Sequence, residues 1–310
     1  MTVSGSGATW TIDDAAVTNA KLATVATATI KGRATAGTGA VEDLSAAQAR
    51  SVLSVREALT ANRTYFVRTD GSDSNTGLAN TSGGAFLTIQ KALNVCATID
   101  FNGFTVTISV GSGTFAGQCV IPKTVGQAGF NDLIIAGAGA ALTTLSHNAA
   151  SGVIVSEGGG SARLTGVTLT NPHANGFNAI SGNGSYLSLG NITLGAVGAS
   201  GIHLAAVKGG NMDAEATTIT VTSNAAFLLY AESNAYLSVR GSTIAHGTRT
   251  YSVTALAQMG AIIRHDSVAN TGSVTATQYI ASTTGGIQTY GSGGVAGNVA
   301  GSVSTAGWFN

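Results

Sequence analysis

Five short segments decide the fold prediction: RLTGVTLT (163–170), YLSLGNITL (186–194), MDAEATTITV (212–221), YLSVRGSTI (236–244) and AIIRHDSV (261–268). Their first residues lie 23, 26, 24 and 25 positions apart. Each segment alternates apolar and polar residues, the period-2 pattern of a strand. A strand unit that recurs every twenty-odd residues is typical of a solenoid, because one unit cannot bury its apolar face alone. The pattern predicts an all-β chain folded as a parallel β-helix, right-handed by the preference of parallel crossovers.

Four regions follow from the repeats and from the composition around them. They are an extended segment with a short helix (1–60), a first strand, turn and capping helix (61–103), the β-helix (104–268) and a Gly/Ser/Thr-rich β segment (269–310). Residues 1–43 are too sparse in apolar side chains to form a core, so we expect them to gain order only against other subunits. The terminal pair Trp308-Phe309 is expected to dock onto the far end of the β-helix or a neighbouring chain.

Two helices are predicted ahead of the coils. The first covers 45–54, where Ser45 and Gln48 have the spacing of a capping box. The second covers 88–99, with Thr88 as its N-cap and an apolar stripe of Ile89, Leu93, Cys96 and Ile99. Since the first coil of a solenoid exposes unpaired strand edges, we expect the second helix to cover that end.

The composition excludes several classes of protein. Net charge is zero, with 14 basic and 14 acidic residues, and no basic patch supports nucleic-acid binding. The N-terminus lacks the charged and apolar regions of a secretory signal, and no apolar run is long enough to span a membrane. Only 9% of residues are charged, against roughly 25% in ordinary domains. So little surface charge favours burial of surface between subunits.

Neither a metal site nor a cofactor is predicted. Asp70, Asp73 and Asn75 suggest a calcium loop, but their spacing is not that of an EF-hand. Such side chains more often bond to the backbone of their own turn. Cys96 and Cys119 are too few for a disulfide framework, and we interpret Cys96 as a buried free thiol.

The N-terminal third resembles a known family. The segments VTNAKLA (17–23), ATIKGRATAGTG (28–39) and EDLSAAQAR (42–50) resemble the N-terminal parts of tail spike and tail fibre proteins of tailed bacteriophages. YFVRTDGSDSNTG (65–77), followed by TIQKAL (88–93), resembles the start of their pectate-lyase-like right-handed β-helix domains. Beyond this third, only the repeat pattern is similar.

The resemblance implies a homotrimer on the virion tail, assembled in the host cytoplasm. Residues 1–60 would attach to other tail or baseplate proteins, and the β-helix would contact a glycan of the host surface. Two alternatives stay open: a spike that depolymerises the polysaccharide as a hydrolase or lyase, and a head spike attached to the capsid. No catalytic motif of the family matches this chain residue by residue.

Asp213 and Glu215 are the one plausible catalytic pair. Two positions apart on a strand, their side chains should point to one face, roughly 7 Å apart, with Met212, Ala214 and Ala216 inward. A glycosidase requires two carboxyl groups roughly 5–10 Å apart, one of them in an apolar niche where it can donate a proton. The small side chains around Asp213 and Glu215 offer little apolar surface, so neither acid is expected to lie in such a niche. The sequence therefore favours a solvated outer face and a chain that binds its target without cleaving it.

A second set of residues suggests ligand binding. Arg240 and Arg264 lie 24 positions apart, one coil period, and are expected to stack on the same outer ridge. Arginine and tyrosine can hold sugars by forked hydrogen bonds and stacking. The candidate ligand-binding residues are Arg240, His246, Arg249, Tyr251 and Arg264, and all of them except His246 form the predicted ridge. An Arg–Asp surface network is an equally good interpretation.

Overall fold

The computed structural model describes residues 24–290, 294–304 and 306–310. Expectations for residues 1–23 therefore lie outside the described residues. The chain divides into two compact units, Met1–Glu57 and Ala58–Asn310.

The first unit holds a small hairpin and a helix. Strands β1 (Ile30–Gly32) and β2 (Glu42–Leu44) pair antiparallel, and helix α1 (Ala46–Leu53) follows. The predicted capping box of α1 is confirmed, because Ser45 accepts from the backbone of Gln48 while the Gln48 side chain accepts from Ser45. The hairpin was not predicted, and an Arg33–Glu42 ion pair of 3.0 Å joins its two arms.

The second unit contains one helix and many short strands. In chain order they are β3 (Glu57–Ala58, at the boundary of the units), β4 (Arg63–Val67), α2 (Ile89–Cys96), β5 (Ile99–Asp100), β6 (Val106–Val110), β7 (Gly113–Ala116), β8 (Cys119–Ile121), β9 (Leu133–Gly137), β10 (Thr143–Ser146), β11 (Gly152–Ser156), β12 (Ser161–Thr165), β13 (Thr168–Asn171), β14 (Phe177–Ser181), β15 (Tyr186–Gly190), β16 (Ile192–Val197), β17 (Ile202–Ala206), β18 (Asn211–Asp213), β19 (Thr218–Val221), β20 (Ala225–Ala231), β21 (Tyr236–Ser238), β22 (Thr243–Gln258), β23 (Ile262–Arg264), β24 (Ala269–Ser282), β25 (Gly286–Gln288), β26 (Ser302–Ser304) and β27 (Trp308–Phe309).

These strands form a parallel β-helix of about eight turns, which confirms the predicted fold class. A ten-stranded parallel sheet runs from β4 to β27 along the β-helix. Two further columns of parallel strands complete each turn, and the long strands β22 and β24 pass through both columns. The five segments that predicted the fold contain or overlap β12, β15, β18, β21 and β23, neighbours in the ten-stranded sheet.

The interior is built from side chains stacked turn on turn. One such ladder on the ten-stranded sheet is in register from each strand to the next and is fully buried: Ala162, Leu187, Met212, Leu237, Ile263 and Ile287. Because every turn presents apolar residues at the same inward positions, each turn covers the core of its neighbour.

Both ends of the β-helix extend beyond the predicted 104–268. At the start, β4 already pairs with β6, and α2 packs against β4, β6 and β8, where a cover was expected. Thr88 caps α2 as predicted, but the helix ends at Cys96, so Ile99 is buried from strand β5. At the far end, β24 to β27 continue the stacking. The sequence predicts a β segment at 269–310, and in the structure its strands pair in parallel with those of the β-helix.

The terminal aromatic pair packs on the last turn. Phe309 stacks on Tyr279 with 3.9 Å between ring centroids. Trp308 lies against Gly286, where a Cβ atom would come within 2.0 Å of the indole, so this close approach requires glycine. Among the described residues, no helix is long and apolar enough to cross a membrane.

Candidate functional site

The outer face of the ten-stranded sheet carries polar and aromatic residues in its middle turns. Outward positions alternate with the buried ladder, because successive side chains of a strand point to opposite sides. We call this surface the polar face and define it by Ser161, Arg163, Tyr186, Ser188, Asn211, Asp213, Glu215, Tyr236, Ser238, Arg240, Arg264 and Asp266.

Tyr186 is the centre of the polar face. Its ring stacks on Phe130, with 4.6 Å between centroids and 18° between planes, and its hydroxyl donates to Asp213 at 2.9 Å. Burial raises the pKa of Tyr186, and the hydrogen bond to Asp213 raises it further. The phenol therefore stays protonated and continues to donate to the carboxylate. Beside the two rings lies a cavity of about 320 Å³, lined among others by Lys123 and Gln127.

Each of the other carboxylates on the polar face is held by an arginine. Glu215 accepts from Arg240 at 2.9 Å and from the hydroxyl of Ser238. Asp266, which is buried, forms an ion pair with Arg264. These contacts correspond to the surface network given above as the alternative interpretation of the arginines.

Asp213 and Glu215 both lie on the polar face, as predicted, with Met212 and Ala214 inward and fully buried. The expected inward position of Ala216 is wrong. Strand β18 ends at Asp213, and Ala216 is exposed with a φ of 48°, so the alternation does not continue that far. A backbone N–H of Glu215 donates to Asp213 at 2.8 Å, which fixes the turn between the two acids.

The predicted ridge is divided between two parts of the molecule. Arg240 and Arg264 lie on the polar face, but His246 and Tyr251 are buried inside β22, and Arg249 is half-buried against the carbonyl of Val221 at 3.0 Å. The expectation that Arg249 and Tyr251 share an outer ridge with Arg240 and Arg264 is therefore wrong, and the candidate ligand-binding residue His246 is not accessible. Strand β22 passes a corner with shifts in register, so its alternation does not report which residues face solvent.

The buried residues form a polar network within the core. His246 contacts the Tyr251 hydroxyl at 3.1 Å and Asn270 at 3.0 Å. His203 is fully buried beside Asn178, with 2.9 Å between the Asn178 amide nitrogen and the imidazole. Burial lowers the pKa of His246 and lowers that of His203 to about 4. Both histidines are therefore neutral and cannot serve as surface cations.

Sequence reasoning missed the aromatic and cationic residues beside the carboxylates. Tyr186 and Tyr236 begin two of the five repeats and stand in line on the sheet, separated by Asn211. Their recurrence at the same repeat position was a usable signal. Phe130 lies in a 3₁₀ turn outside the repeats, so nothing in the periodicity connected it with Tyr186.

A second outer surface is apolar. Along the column β8–β11–β14–β17–β20–β22, one outward ladder is in register and lies outside the core cluster. We call it the apolar face and define it by Val120, Val155, Ile180, Ala205, Tyr230, Leu256 and Ile280. Tyr230 is its polar exception, since its hydroxyl donates to Glu232 at 2.6 Å.

The suspected calcium loop is explained by backbone contacts. Asp73 accepts from the N–H groups of Leu87 and Thr88, each at 2.9 Å, and Asn75 donates to two carbonyl groups. In the part of the chain that the structure describes, no three His, Cys, Asp or Glu side chains come together as metal ligands. Cys96 and Cys119 are buried free thiols, and burial raises the pKa of each to about 12.

No family model and no curated protein matches the sequence. Among solved structures, the chain is similar to a pectin methylesterase from carrot, with a TM-score of 0.39 and 12% identity, over 72% of this chain and 73% of that chain. A likeness this distant carries no argument about activity.

Proposed function

We propose that this chain is a tail spike or tail fibre adhesin of a tailed phage, which binds a surface polysaccharide of the host without cleaving it. The observation that carries the proposal is the Phe130–Tyr186 stack beside an open cavity on the polar face. Aromatic rings offer an apolar surface and, in tyrosine, a polar handle. Sugar rings have the matching pair of features, apolar C–H faces and hydroxyl edges.

The contacts of the carboxylates support binding rather than cleavage. A glycosidase acid must be free to give its proton to the leaving oxygen, and its partner must be free to attack or to activate water. Asp213 already accepts from Tyr186 and from the backbone of Glu215, and Glu215 accepts from Ser238 and Arg240. Both acids therefore act as structural acceptors that hold the polar face in shape.

Assembly as a homotrimer is part of the proposal. On the apolar face, Val120, Ile180 and Ile280 keep part of their apolar surface exposed in the single chain, so burying it between chains would stabilise the assembly. We propose that this face packs against the neighbouring chains, while the polar face remains outward.

The proposed attachment of residues 1–60 to the phage particle rests on sequence resemblance. Residues 1–60 would join the spike to tail or baseplate proteins, and immunogold labelling of the intact particle tests this. Label on the tail is expected, and label on the capsid vertices would make the protein a head spike.

The function is tested with surface polysaccharides purified from a panel of bacterial strains. Retention of at least one polysaccharide by the immobilised protein is expected, with no rise in reducing ends or unsaturated uronates over a long incubation. Turnover that disappears in Asp213→Asn or Glu215→Gln would instead make the chain a depolymerase. Failure to retain any polysaccharide would contradict the adhesin.

A further inference from the structure

Arg163 differs from the other arginines of the polar face. Arg240 and Arg264 each form an ion pair with a carboxylate. Arg163 is half-buried, and among the described residues it has neither a hydrogen bond nor an ion pair with its side chain. A guanidinium that has lost part of its hydration without gaining an acceptor is favourably placed to accept an anion from outside.

A glycine in the next turn makes room for this guanidinium. A Cβ atom on Gly190 would lie 3.0 Å from Nη2 of Arg163, so the guanidinium lies close over Gly190 of β15. On the sheet, the neighbours of Arg163 in register are Ser188 on one adjacent strand and Ile134 on the other. Neither neighbour can neutralise the charge.

The surroundings of Arg163 are suited to a sugar. Ser161 and Tyr186, at the start of the same two strands, line the cavity next to Phe130. Lys123 lines the same cavity and is exposed, so a second cation stands near its edge.

We propose that Arg163 is the anchor for a carboxylate, and that the polysaccharide bound on the polar face contains an acidic sugar. This deepens the proposed adhesin function and rests on it. The carboxylate of a uronic or other acidic sugar would accept two parallel N–H bonds from the guanidinium. The ring of a neighbouring sugar would then lie over Tyr186 and Phe130.

The test uses the polysaccharide that the protein retains, in its native form and after chemical reduction of its carboxyl groups. Affinity for both forms is measured for the wild type, Arg163→Gln, Arg163→Lys and Tyr186→Ala. Lys91→Gln is the matched control, since Lys91 lies on α2 and its side chain has no recorded partner among the described residues. Thermal unfolding of each variant shows whether it has kept its fold.

We expect reduction of the carboxyl groups to weaken binding by the wild type at least about tenfold, the strength of a charged hydrogen bond. Arg163→Gln should lose the same factor with the native polysaccharide and nothing with the reduced one. Arg163→Lys should recover part of the loss, and Lys91→Gln should bind as the wild type does. Tyr186→Ala should weaken binding of both forms.

Gly190→Ala provides an independent variant that keeps the charge. The added methyl group would displace the guanidinium, so an intermediate loss for the native form is expected. Equal affinity of the wild type for both forms would overturn the inference while leaving the adhesin intact. An Arg163→Gln loss of the same size for both forms would also overturn it. No retained polysaccharide at all would contradict the adhesin itself.

Discussion

Tyr186 and Tyr230 occupy matching places on two outer faces of one β-helix, yet their surroundings differ. Both are half-buried, and both donate to a carboxylate, Asp213 in one case and Glu232 in the other. Tyr186 stands among acids, arginines and an open cavity, whereas Tyr230 stands between Ala205 and Leu256. Since the interior fixes only every second residue of a strand, each outer face is free to acquire its own chemistry.

The largest expected effect comes from the interior that both faces share. Leu237→Ala should lower the free energy of unfolding by about 2–5 kcal/mol, because Leu237 is fully buried between Met212 and Ile263. Denaturant unfolding measures the change. The outward neighbour Tyr236→Ala is the control and should cost clearly less. Equal losses would mean that the polar face contributes as much to stability as the core.

The second largest effect is expected from acid, which should lower the free energy of unfolding by protonating the buried His203. Burial lowers the pKa of His203 from 6.5 in the unfolded chain to about 4. Between these values the unfolded chain binds a proton that the folded chain does not, so stability is complete above pH 6.5 and falls towards pH 4. The loss amounts to about 3 kcal/mol for this residue alone.

The predicted loss is tested by measuring the free energy of unfolding from pH 7 to pH 4 for the wild type and for His203→Gln. The variant should have a flatter profile, although His246, whose pKa is also lowered by burial, still acts in the same direction. Profiles that run parallel would show that His203 does not control the response.

A charge on the apolar face should break assembly. Ile180 lies between Val155 and Ala205 on that face. Ile180→Lys should reduce the sedimentation mass from three chains to one chain of 30.6 kDa, because a buried unpaired ammonium is costly. Asn211→Lys places the same charge on the polar face and should leave the mass unchanged. A trimer that survives Ile180→Lys would locate the interface elsewhere.

The smallest effect on stability is expected from Arg240. Its side chain is 50% exposed, and an ion pair in such a place contributes about 0–1 kcal/mol. Arg240→Ala should therefore leave the fold and the assembly intact while weakening attachment to cells. Arg264→Ala should weaken attachment too, but it also leaves the buried Asp266 without its ion-pair partner and should lower stability more. Attachment equal to the wild type, measured by binding of the labelled protein to whole cells, would remove both residues from the binding surface.

The sequence predicted the features that depend on alternation and on caps. Strand alternation located the repeats around Leu187 and Leu237, and the caps Ser45 and Thr88 located both helices. It could not locate corners, where consecutive residues such as Asn178 and Ala179 are both buried and the alternation stops. That is why His246 and Tyr251 were expected outside.

The candidate binding site was only partly predictable for a related reason. Asp213 and Glu215 belong to a repeat, so their face followed from their spacing. Phe130 and Arg163 were identified only from contacts between turns. Phe130 stacks on Tyr186, and Arg163 lies over Gly190. Such contacts join residues dozens of positions apart or in different strands, and a single sequence does not report them.

The claim that the two faces have different tasks is tested most directly by hydroxyl-radical footprinting of Tyr186 and Tyr230 in the same sample. Tryptic cleavage after Arg163, Lys208 and Arg240 puts the two tyrosines on different peptides. Tyr230 should lose reactivity on assembly and regain it on dilution, without response to polysaccharide. Tyr186 should lose reactivity only when the retained polysaccharide is added. Protection of Tyr230 by polysaccharide, or of Tyr186 by assembly alone, would contradict the account.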